Sequence, residues 1–315
     1  TSHITHNKNL PSKFQRWFSN RGWQIYEHQL SMISEFKKGN SCLLIAPTGS
    51  GKTLSGFLPS LIELCELPFE NKLKPKLHTL YISPLKALSV DVQRNLQIPI
   101  TEMDLPILCE TRTSDTSPKK RNRQKAKPPN ILLTTPESVE LMLAWPEAKN
   151  YFSNLSTIIL DEIHSVIGNK RGDLLSLSIT TLRNYAPNAS FIGLSATVAD
   201  SGQLAKWLAP EPNKVTILKP NITKKIDIEI YYPTSSEIPF AGHSADYAVA
   251  DIYQMISAHK ISLIFVNTRA QAELLFQSLW KENNNDLHIG LHHGSLDASQ
   301  RRKVEKAMAE GKLDA

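Results

Sequence analysis

The chain has 315 residues, of which 41% are hydrophobic and 21% charged, and this balance excludes an intrinsically disordered protein. Its net charge of +6 suits a polyanionic partner, although a basic surface without any partner explains the charge equally well. No apolar run approaches the roughly 20 residues of a membrane helix, and the N-terminus has no signal-peptide pattern, so we expect a cytoplasmic protein without membrane contact. Three widely separated cysteines predict neither a zinc site nor a disulfide framework.

Short apolar strands alternate with amphipathic helices along most of the chain. The predicted strands are Ser41–Ile45, Thr79–Ile82, Ile107–Cys109, Ile131–Thr134, Thr157–Leu160 and Ser190–Leu194, and the helices between them include Leu85–Gln97, Glu137–Ala144 and Asp173–Tyr185. Continuous apolar strands separated by helices predict a doubly wound parallel α/β sheet that is covered on both faces.

Turn-forming residues at Pro233–Pro239 predict a linker, after which the α/β pattern resumes with strands at Ser262–Val266 and Leu287–Leu291. We therefore expect a complete domain at 1–220, a linker at 221–243 and a truncated second domain at 244–315.

A glycine-rich loop separates the first predicted strand from a helical run at Leu54–Leu64. The segment Ala46-Pro47-Thr48-Gly49-Ser50-Gly51-Lys52-Thr53 has the strand, loop and helix order of a phosphate-binding loop, with alanine where the strict pattern begins with glycine. Its backbone N–H groups and the helix N-terminus favour a polyphosphate. Lys52 can reach the β and γ phosphates, and the Thr53 hydroxyl can ligate Mg²⁺. A glycine-rich turn without a ligand is the alternative interpretation.

Two acids follow the apolar strand Thr157–Leu160 directly. The segment Asp161-Glu162-Ile163-His164 is expected at the carboxyl edge of the sheet, where ligands of such sheets bind. Asp161 would hold Mg²⁺, and Glu162 would orient and deprotonate the attacking water. The alternative is that both acids simply begin a helix, where negative charge is favoured. Together with the loop at Lys52, they predict a site for a nucleoside triphosphate and Mg²⁺.

The loop and the acidic segment, together with Ser195-Ala196-Thr197, resemble motifs I, II and III of superfamily 2 helicases of the DExH type. Further segments fall in the order of that superfamily: Gln29 resembles its adenine-reading glutamine, Ser83-Pro84-Leu85-Lys86-Ala87-Leu88 its motif Ia, Thr134-Thr135-Pro136-Glu137 its motif Ic, and Ile264-Phe265-Val266-Asn267-Thr268-Arg269 its motif IV. The resemblance implies RecA-like domains that bind ATP and Mg²⁺ between them. Motifs V and VI would lie beyond Ala315, so the chain resembles an N-terminal fragment.

Within this superfamily the chain is similar to the Lhr (large helicase-related) family. The similarity rests on Leu80–Leu88, Thr111–Thr116, Lys170-Arg171-Gly172-Asp173 and Leu194–Val198. The opening Trp17-Phe18…Arg21-Gly22-Trp23 is similar to the bacterial ligase-associated branch, which implies DNA repair, with a ligase or nuclease as partner.

The resemblance also implies a track for single-stranded nucleic acid. It assigns to this track Pro84, Lys86, Arg112, Thr113, Thr135 and Arg269; for each, an ordinary turn or helix cap is the alternative. It implies that His164 couples the γ-phosphate to Ser195 and Thr197. Trp17, Trp23 and Tyr26 could stack on adenine, although core packing is the more usual role. The basic run 119–127 could grip a backbone, although a solvated, mobile face is more usual.

We therefore expect a monomeric ATP-dependent helicase or translocase that tracks along single-stranded DNA, with RNA or a hybrid as other possible substrates. Two alternatives stay open. One is a P-loop ATPase that does not act on nucleic acid, and the other is a fragment that binds nucleotide and nucleic acid with little turnover.

Overall fold

The computed structural model describes residues 10–67, 76–198, 200–209, 215–220, 227–233 and 246–315. Contacts between Cα atoms divide the chain into a first unit, Thr1–Lys224, and a second unit, Lys225–Ala315. Most of the linker predicted at 221–243 lies outside the described residues, and the predicted domain limits stay a prediction. None of the described helices is long and apolar enough to cross a membrane.

The first unit is built on a seven-stranded sheet whose paired strands are all parallel. Its strands are β1 (Ser41–Ile45), β2 (Thr79–Ile82), β3 (Cys109–Arg112), β4 (Ile131–Thr134), β5 (Thr157–Leu160), β6 (Ser190–Ser195) and β7 (Val215–Leu218). They lie in the order β3-β4-β2-β5-β6-β1-β7. The predicted parallel α/β sheet is therefore confirmed.

One strand is shifted from its predicted position. Residues Ile107–Cys109 were expected to form it, but the ladder with β4 begins where Cys109 pairs with Ile131 and ends at Arg112. The Ile107 N–H is bonded to the Leu105 carbonyl in a turn instead. Because β3 is at the sheet edge, its last residues are polar and partly exposed. A search for runs of apolar residues therefore misses them.

Nine helices of the described first unit cover the two faces of the sheet. They are α1 (Ser12–Asn20), α2 (Glu27–Lys37), α3 (Lys52–Glu66), α4 (Lys86–Glu102), α5 (Pro118–Ala126), α6 (Pro136–Leu143), α7 (Ala148–Phe152), α8 (Lys170–Tyr185) and α9 (Ser201–Leu208). Alternate strand residues point to opposite faces. Leu44 therefore packs in one core with α1 to α4, whereas Leu43 packs in a second core with α6 to α9.

The second unit contains three α-helices among its described residues, namely α10 (Val249–Ala258), α11 (Arg269–Lys281) and α12 (Ala298–Ala309). A small apolar cluster that includes Ile256 and Leu279 joins α10 and α11. Thr268 and Gln271 form a capping box at the start of α11, in which each side chain accepts from the backbone of the other residue.

The strands predicted at Ser262–Val266 and Leu287–Leu291 are wrong: neither segment is a strand in the structure. Each hydrogen-bonds to the short stretch Asp314–Ala315 instead. Ser262 N donates to the Asp314 carbonyl at 2.8 Å, and Gly290 N donates to the Ala315 carbonyl at 2.8 Å. These isolated bonds do not form a continuous ladder, so neither segment is a strand among the described residues.

Candidate nucleotide and nucleic-acid site

The glycine-rich loop connects the end of β1 at Ile45 to the start of α3 at Lys52. Gly49 and Gly51 have φ angles of 73° and 76°, in the left-handed region that glycine adopts without strain. The Ser50 hydroxyl donates to the Pro47 carbonyl at 2.7 Å and closes the turn. The loop thus delivers the N-terminus of a fifteen-residue helix, with its unsatisfied N–H groups, to the carboxyl edge of the sheet.

Lys52 is the most informative side chain of this loop. It is only 7% exposed, and its Nζ atom has no hydrogen-bond partner among the described residues. The nearest acid is Glu162, whose Oε1 atom lies 3.9 Å from Nζ. Burying an ammonium group without a hydrogen bond is costly, so this arrangement fits a site that receives an anion.

The two acids at the end of β5 lie close to this loop, because only β6 separates β5 from β1. Asp161 is 4% exposed. Its Oδ2 atom accepts a hydrogen bond from the Tyr81 hydroxyl at 2.6 Å, and its Oδ1 atom accepts from the Glu162 N–H at 2.8 Å. Burial raises the pKa of Asp161. A bound cation would oppose that rise, so the carboxylate suits a metal ion.

The donor set for Mg²⁺ is small. Thr53 is the second residue of α3 and is partly buried. Within the part of the chain that the structure describes, no group of three or more His, Cys, Asp or Glu side chains could hold a metal ion. Thr53 and Asp161 would therefore need phosphate oxygens and water to complete a coordination shell, which is how Mg²⁺ usually binds.

His164 lies between Glu162 and the end of β6. Its Nδ1 atom accepts from the Ala196 N–H at 3.4 Å and lies 3.2 Å from the Ser195 hydroxyl. Its Nε2 atom lies 3.4 Å from Glu162 Oε2. Because Nδ1 accepts from a backbone N–H, the proton of the neutral ring is on Nε2 and faces the carboxylate. Thr197 is exposed, beyond the end of β6.

A cavity of about 520 Å³ adjoins the loop and is lined by residues that include Trp23, Tyr26, Gln29, Gly49 and Gly51. Trp23 and Tyr26 are each 49% exposed. The Gln29 Oε1 atom accepts from the Tyr26 N–H at 3.0 Å, and a Cβ atom on Gly51 would lie 3.0 Å from Gln29 Nε2. The cavity thus has the size and the aromatic lining of a site for a nucleobase.

Trp17 does not line this cavity. It is 5% exposed, and its indole N–H donates to Glu102 Oε2 at 2.7 Å. Core packing is therefore the correct interpretation for Trp17, whereas Trp23 and Tyr26 remain available for stacking.

Two residues of the site were not predicted from the sequence. One is Tyr81, which holds Asp161. The other is His28, a buried residue whose ring is stacked on Tyr26 with centroids 5.3 Å apart and whose Nε2 atom donates to the Ser50 carbonyl at 3.1 Å. Burial lowers the pKa of His28 and favours this neutral form. Its position next to Gln29 was the only available signal.

A second cavity of about 500 Å³ lies at the carboxyl edge near β2, β3 and β4, and it brings together five of the six residues predicted for the nucleic-acid track: Pro84, Lys86, Arg112, Thr113 and Thr135. Lys86 is exposed and pairs with Asp115 at 3.3 Å. Thr113 Oγ1 accepts from the Asp115 N–H at 3.3 Å, and Thr135 Oγ1 lies 3.3 Å from the Ser138 hydroxyl. Both threonine hydroxyls thus also serve local turns, as the alternative interpretation stated.

The Arg112 side chain makes most of its contacts within the protein. Its Nη1 atom donates to the Arg121 carbonyl at 2.9 Å, and its guanidinium lies 4.8 Å from the centre of the Trp145 ring. Burial lowers its pKa. These contacts fix the position of α5, so Arg112 supports the cavity wall as well as lining it.

Most of the basic run 119–127 lies in α5, with one solvated side, as its composition favours, and one side that is anchored to the rest of the unit. Gln124 is fully buried and donates to Glu110 Oε2 at 3.0 Å. Arg123 pairs with the same carboxylate at 2.5 Å, and Arg121 donates to the Ser114 carbonyl at 2.5 Å. The lysines at positions 119, 125 and 127 remain exposed.

Arg269, the sixth predicted track residue, belongs to the second unit. It begins α11, and its guanidinium donates to the Ser295 hydroxyl at 2.6 Å.

Known proteins are similar to this chain in sequence and in structure. The chain is 34% identical over 316 residues to the ATP-dependent helicase Lhr-Core of Methanothermobacter thermautotrophicus, and 36% identical over 313 residues to the one of Sulfolobus acidocaldarius. Each alignment covers 95% of this chain, which spans 37% and 36% of the two relatives. The structure of Mycobacterium smegmatis helicase Lhr bound to ssDNA and AMP-PNP matches 98% of this chain and 41% of that one, with a TM-score of 0.82 and 33% identity.

The fold is therefore RecA-like, as the resemblance implied. The model of the DEAD/DEAH box helicase family matches residues 26–204, which include the phosphate loop, the acidic pair and the end of β6. The match covers more than half of the chain, and the chain belongs to the DEAD/DEAH box helicase family.

Proposed function

We propose that this chain binds ATP with Mg²⁺ and hydrolyses it as part of an ATP-dependent helicase or translocase that tracks along single-stranded DNA. One observation carries the nucleotide part of the proposal. The buried Lys52 amine, without a hydrogen-bond partner among the described residues, lies 3.9 Å from Glu162 and next to a helix N-terminus. Those are the groups that a triphosphate with an attacking water requires.

The residues divide the work by position. The N–H groups from Gly49 to Lys52 hold phosphate oxygens, while the Lys52 ammonium neutralises their charge. Thr53 and Asp161 hold Mg²⁺, which supplies charge neutralisation and orientation of the phosphate groups. Glu162 accepts the proton of a water molecule aligned with the terminal phosphate. The Nε2–H group of His164 holds one oxygen of Glu162 and leaves the other facing Lys52.

The polymer part of the proposal rests on the second cavity and on the relatives. Exposed Lys86 and the hydroxyl groups of Thr113 and Thr135 suit phosphate oxygens rather than base edges. The similar Lhr structure from M. smegmatis holds ssDNA, which favours DNA over RNA for this chain. A role in DNA repair, beside a ligase or nuclease, extends the proposal through the resemblance of Trp17–Trp23 to the ligase-associated branch.

An ATPase assay of the full-length protein tests the proposal, with single-stranded DNA and RNA as separate activators. We expect DNA to raise the rate. Lys52→Ala should weaken binding of a fluorescent ATP analogue by about 100-fold, because it removes a buried charge from an ionic contact. Lys149→Ala, which removes an exposed lysine from α7, is the matched control. Unchanged affinity in Lys52→Ala would refute the nucleotide site, and a rate insensitive to both polymers would favour a P-loop ATPase of another kind.

A further inference from the structure

Arg171 lines the second cavity and joins two separate segments of its wall. Its Nε atom donates to Glu137 Oε1 at 2.5 Å, and its Nη2 atom donates to the Pro84 carbonyl at 2.7 Å. Pro84 lies just before α4, and Glu137 is the second residue of α6. A planar guanidinium makes two directed hydrogen bonds at once, so it fixes the two segments relative to each other in a way that a lysine cannot.

The backbone at Arg171 is tied to the nucleotide side of the molecule. Asn169 caps α8, with Oδ1 accepting from the Arg171 and Gly172 N–H groups at 3.0 and 3.1 Å. Its Nδ2 atom donates to the Ser165 carbonyl at 3.0 Å, and the Ser165 hydroxyl donates to the Glu162 carbonyl at 2.8 Å. A continuous series of hydrogen bonds therefore runs from Arg171 to the acid that would activate water.

The first turn of α8 packs tightly against the segment that follows Glu162. A Cβ atom on Gly172 would lie 2.0 Å from the Val166 carbonyl oxygen, so the first turn of α8 lies directly against the segment that follows Glu162. Glu162 itself has a φ angle of 50°, which is uncommon for a residue with a side chain. Such a conformation persists only where the surroundings hold it, so Glu162 depends on the position of its neighbours.

Stability alone is a poor explanation for the Arg171 contacts. The Arg171 and Glu137 side chains are 39% and 51% exposed, and ion pairs at that exposure add little to folding free energy. Their location, between the cavity proposed for the strand and the segment that bears Glu162, is the more specific feature.

We propose that Arg171 is a positioning residue that couples binding of single-stranded nucleic acid in the second cavity to the placement of Glu162; this inference rests on the proposed function. A phosphate backbone bound near Pro84 and Thr135 pulls on the two segments that Arg171 joins. The shift passes through Asn169 and Ser165 to the carbonyl of Glu162. Nucleic acid thereby sets the position of the group that accepts the proton of water.

The test compares ATPase rates of the full-length protein with and without single-stranded DNA. In Arg171→Ala we expect the ratio of the saturated, DNA-stimulated rate to the basal rate to fall at least tenfold. Arg171→Lys keeps the charge but loses the paired hydrogen bonds, so its ratio should be intermediate. Arg94→Ala removes an exposed arginine of α4 whose ion pair, with Asp91, lies within the same helix, and it should keep the wild-type ratio.

Thermal melting of each variant reports folding. If Arg171→Ala does not fold, Glu137→Gln removes the charge of the partner with little change of shape, and it should lower the ratio at least threefold. An unchanged ratio, or an equal fall of both rates, would overturn the coupling role while leaving the proposed function intact. A wild-type protein that no polymer stimulates would instead overturn the proposed function and the coupling role together.

Discussion

The first unit pairs seven strands into one sheet, whereas the second unit has similar apolar segments that remain unpaired. Phe57, in α3, is fully buried against Tyr81, but Phe265, in one of the unpaired segments, is 90% exposed. Both units contain apolar runs of strand length. The difference teaches that such a run specifies an extended backbone, whereas burial requires a neighbour along its whole length.

The polar chemistry is divided just as unequally. Every residue predicted to bind nucleotide or metal lies in the first unit, at the carboxyl edge of the completed sheet. The second unit contributes Arg269 alone to the predicted sites. A rigid, fully paired sheet is the better support for a site, because hydrogen-bonded strands hold their terminal loops at fixed distances.

Matched phenylalanine substitutions should produce the largest difference between the two units. Phe57→Ala should lower the free energy of unfolding by about 3–5 kcal/mol, because it leaves a cavity in a close-packed core. Phe265→Ala should change it by less than about 0.5 kcal/mol, because an exposed ring loses few contacts. Urea titration followed by circular dichroism measures both. A comparable loss in Phe265→Ala would mean that the second unit buries this ring in solution.

Two glycine substitutions sharpen the comparison at an intermediate size. Gly172→Ala should cost about 1–3 kcal/mol, because its Cβ atom would collide with the Val166 backbone. In the second unit, a Cβ atom on Gly290 would lie 2.9 Å from the end of the Leu313 side chain, which can move. Gly290→Ala should therefore cost less than about 1 kcal/mol. Alanine is the better helix former, so any loss at position 172 reports the collision. Equal losses in the same urea titrations would contradict this distinction.

The smallest effect should appear in the response to acid. Hydrogen bonds from Lys38, Asn40 and Thr216 lower the pKa of Glu35 from 4.5 to about 2. A lowered carboxylate pKa stabilises the folded chain above the unfolded-state value and loses this effect as the pH falls. The stability advantage of wild type over Glu35→Gln should be full above about pH 5 and should shrink towards pH 2.

In the second unit, Asp297→Asn is the control for this acid response. Asp297 is exposed and accepts from the Ser299 N–H at the start of α12, a cap that asparagine also provides. Its pH dependence should be weaker than that of Glu35→Gln when urea titrations are repeated at several pH values. A stability advantage of wild type over Glu35→Gln that stays constant with pH would contradict the lowered pKa of Glu35.

The sequence predicted best those elements that are determined by neighbouring residues in the chain. β1, β2, β4 and β5 have their predicted limits because each is paired on both sides and mostly apolar. The convergence of Lys52 and Glu162 could be anticipated because parallel strands bring their carboxyl ends to one edge. For α5, the signal was present in the Ser117 cap and Pro118, but the dense charge obscured it.

The rest of the site depended on contacts between distant parts of the chain. His28 reaches Ser50, and Tyr81 reaches Asp161 across the sheet. His28 has only its place beside Gln29 as a local signal. Tyr81 and Arg171 lie in segments that carry the resemblance to the Lhr family, but their contacts with Asp161, Pro84 and Glu137 depend on packing between distant parts of the chain.

The insertion of β6 between β1 and β5 determines how far apart the two halves of the candidate site begin. Neighbouring strands lie about 4.8 Å apart, so the glycine loop and the acidic pair stand on supports separated by about 10 Å. Because a ladder of hydrogen bonds does not stretch, the sheet fixes the distance between these two supports. The Lys52 and Glu162 side chains extend from them until Nζ and Oε1 are 3.9 Å apart, so the contact across the site is made by side chains and not by the backbone.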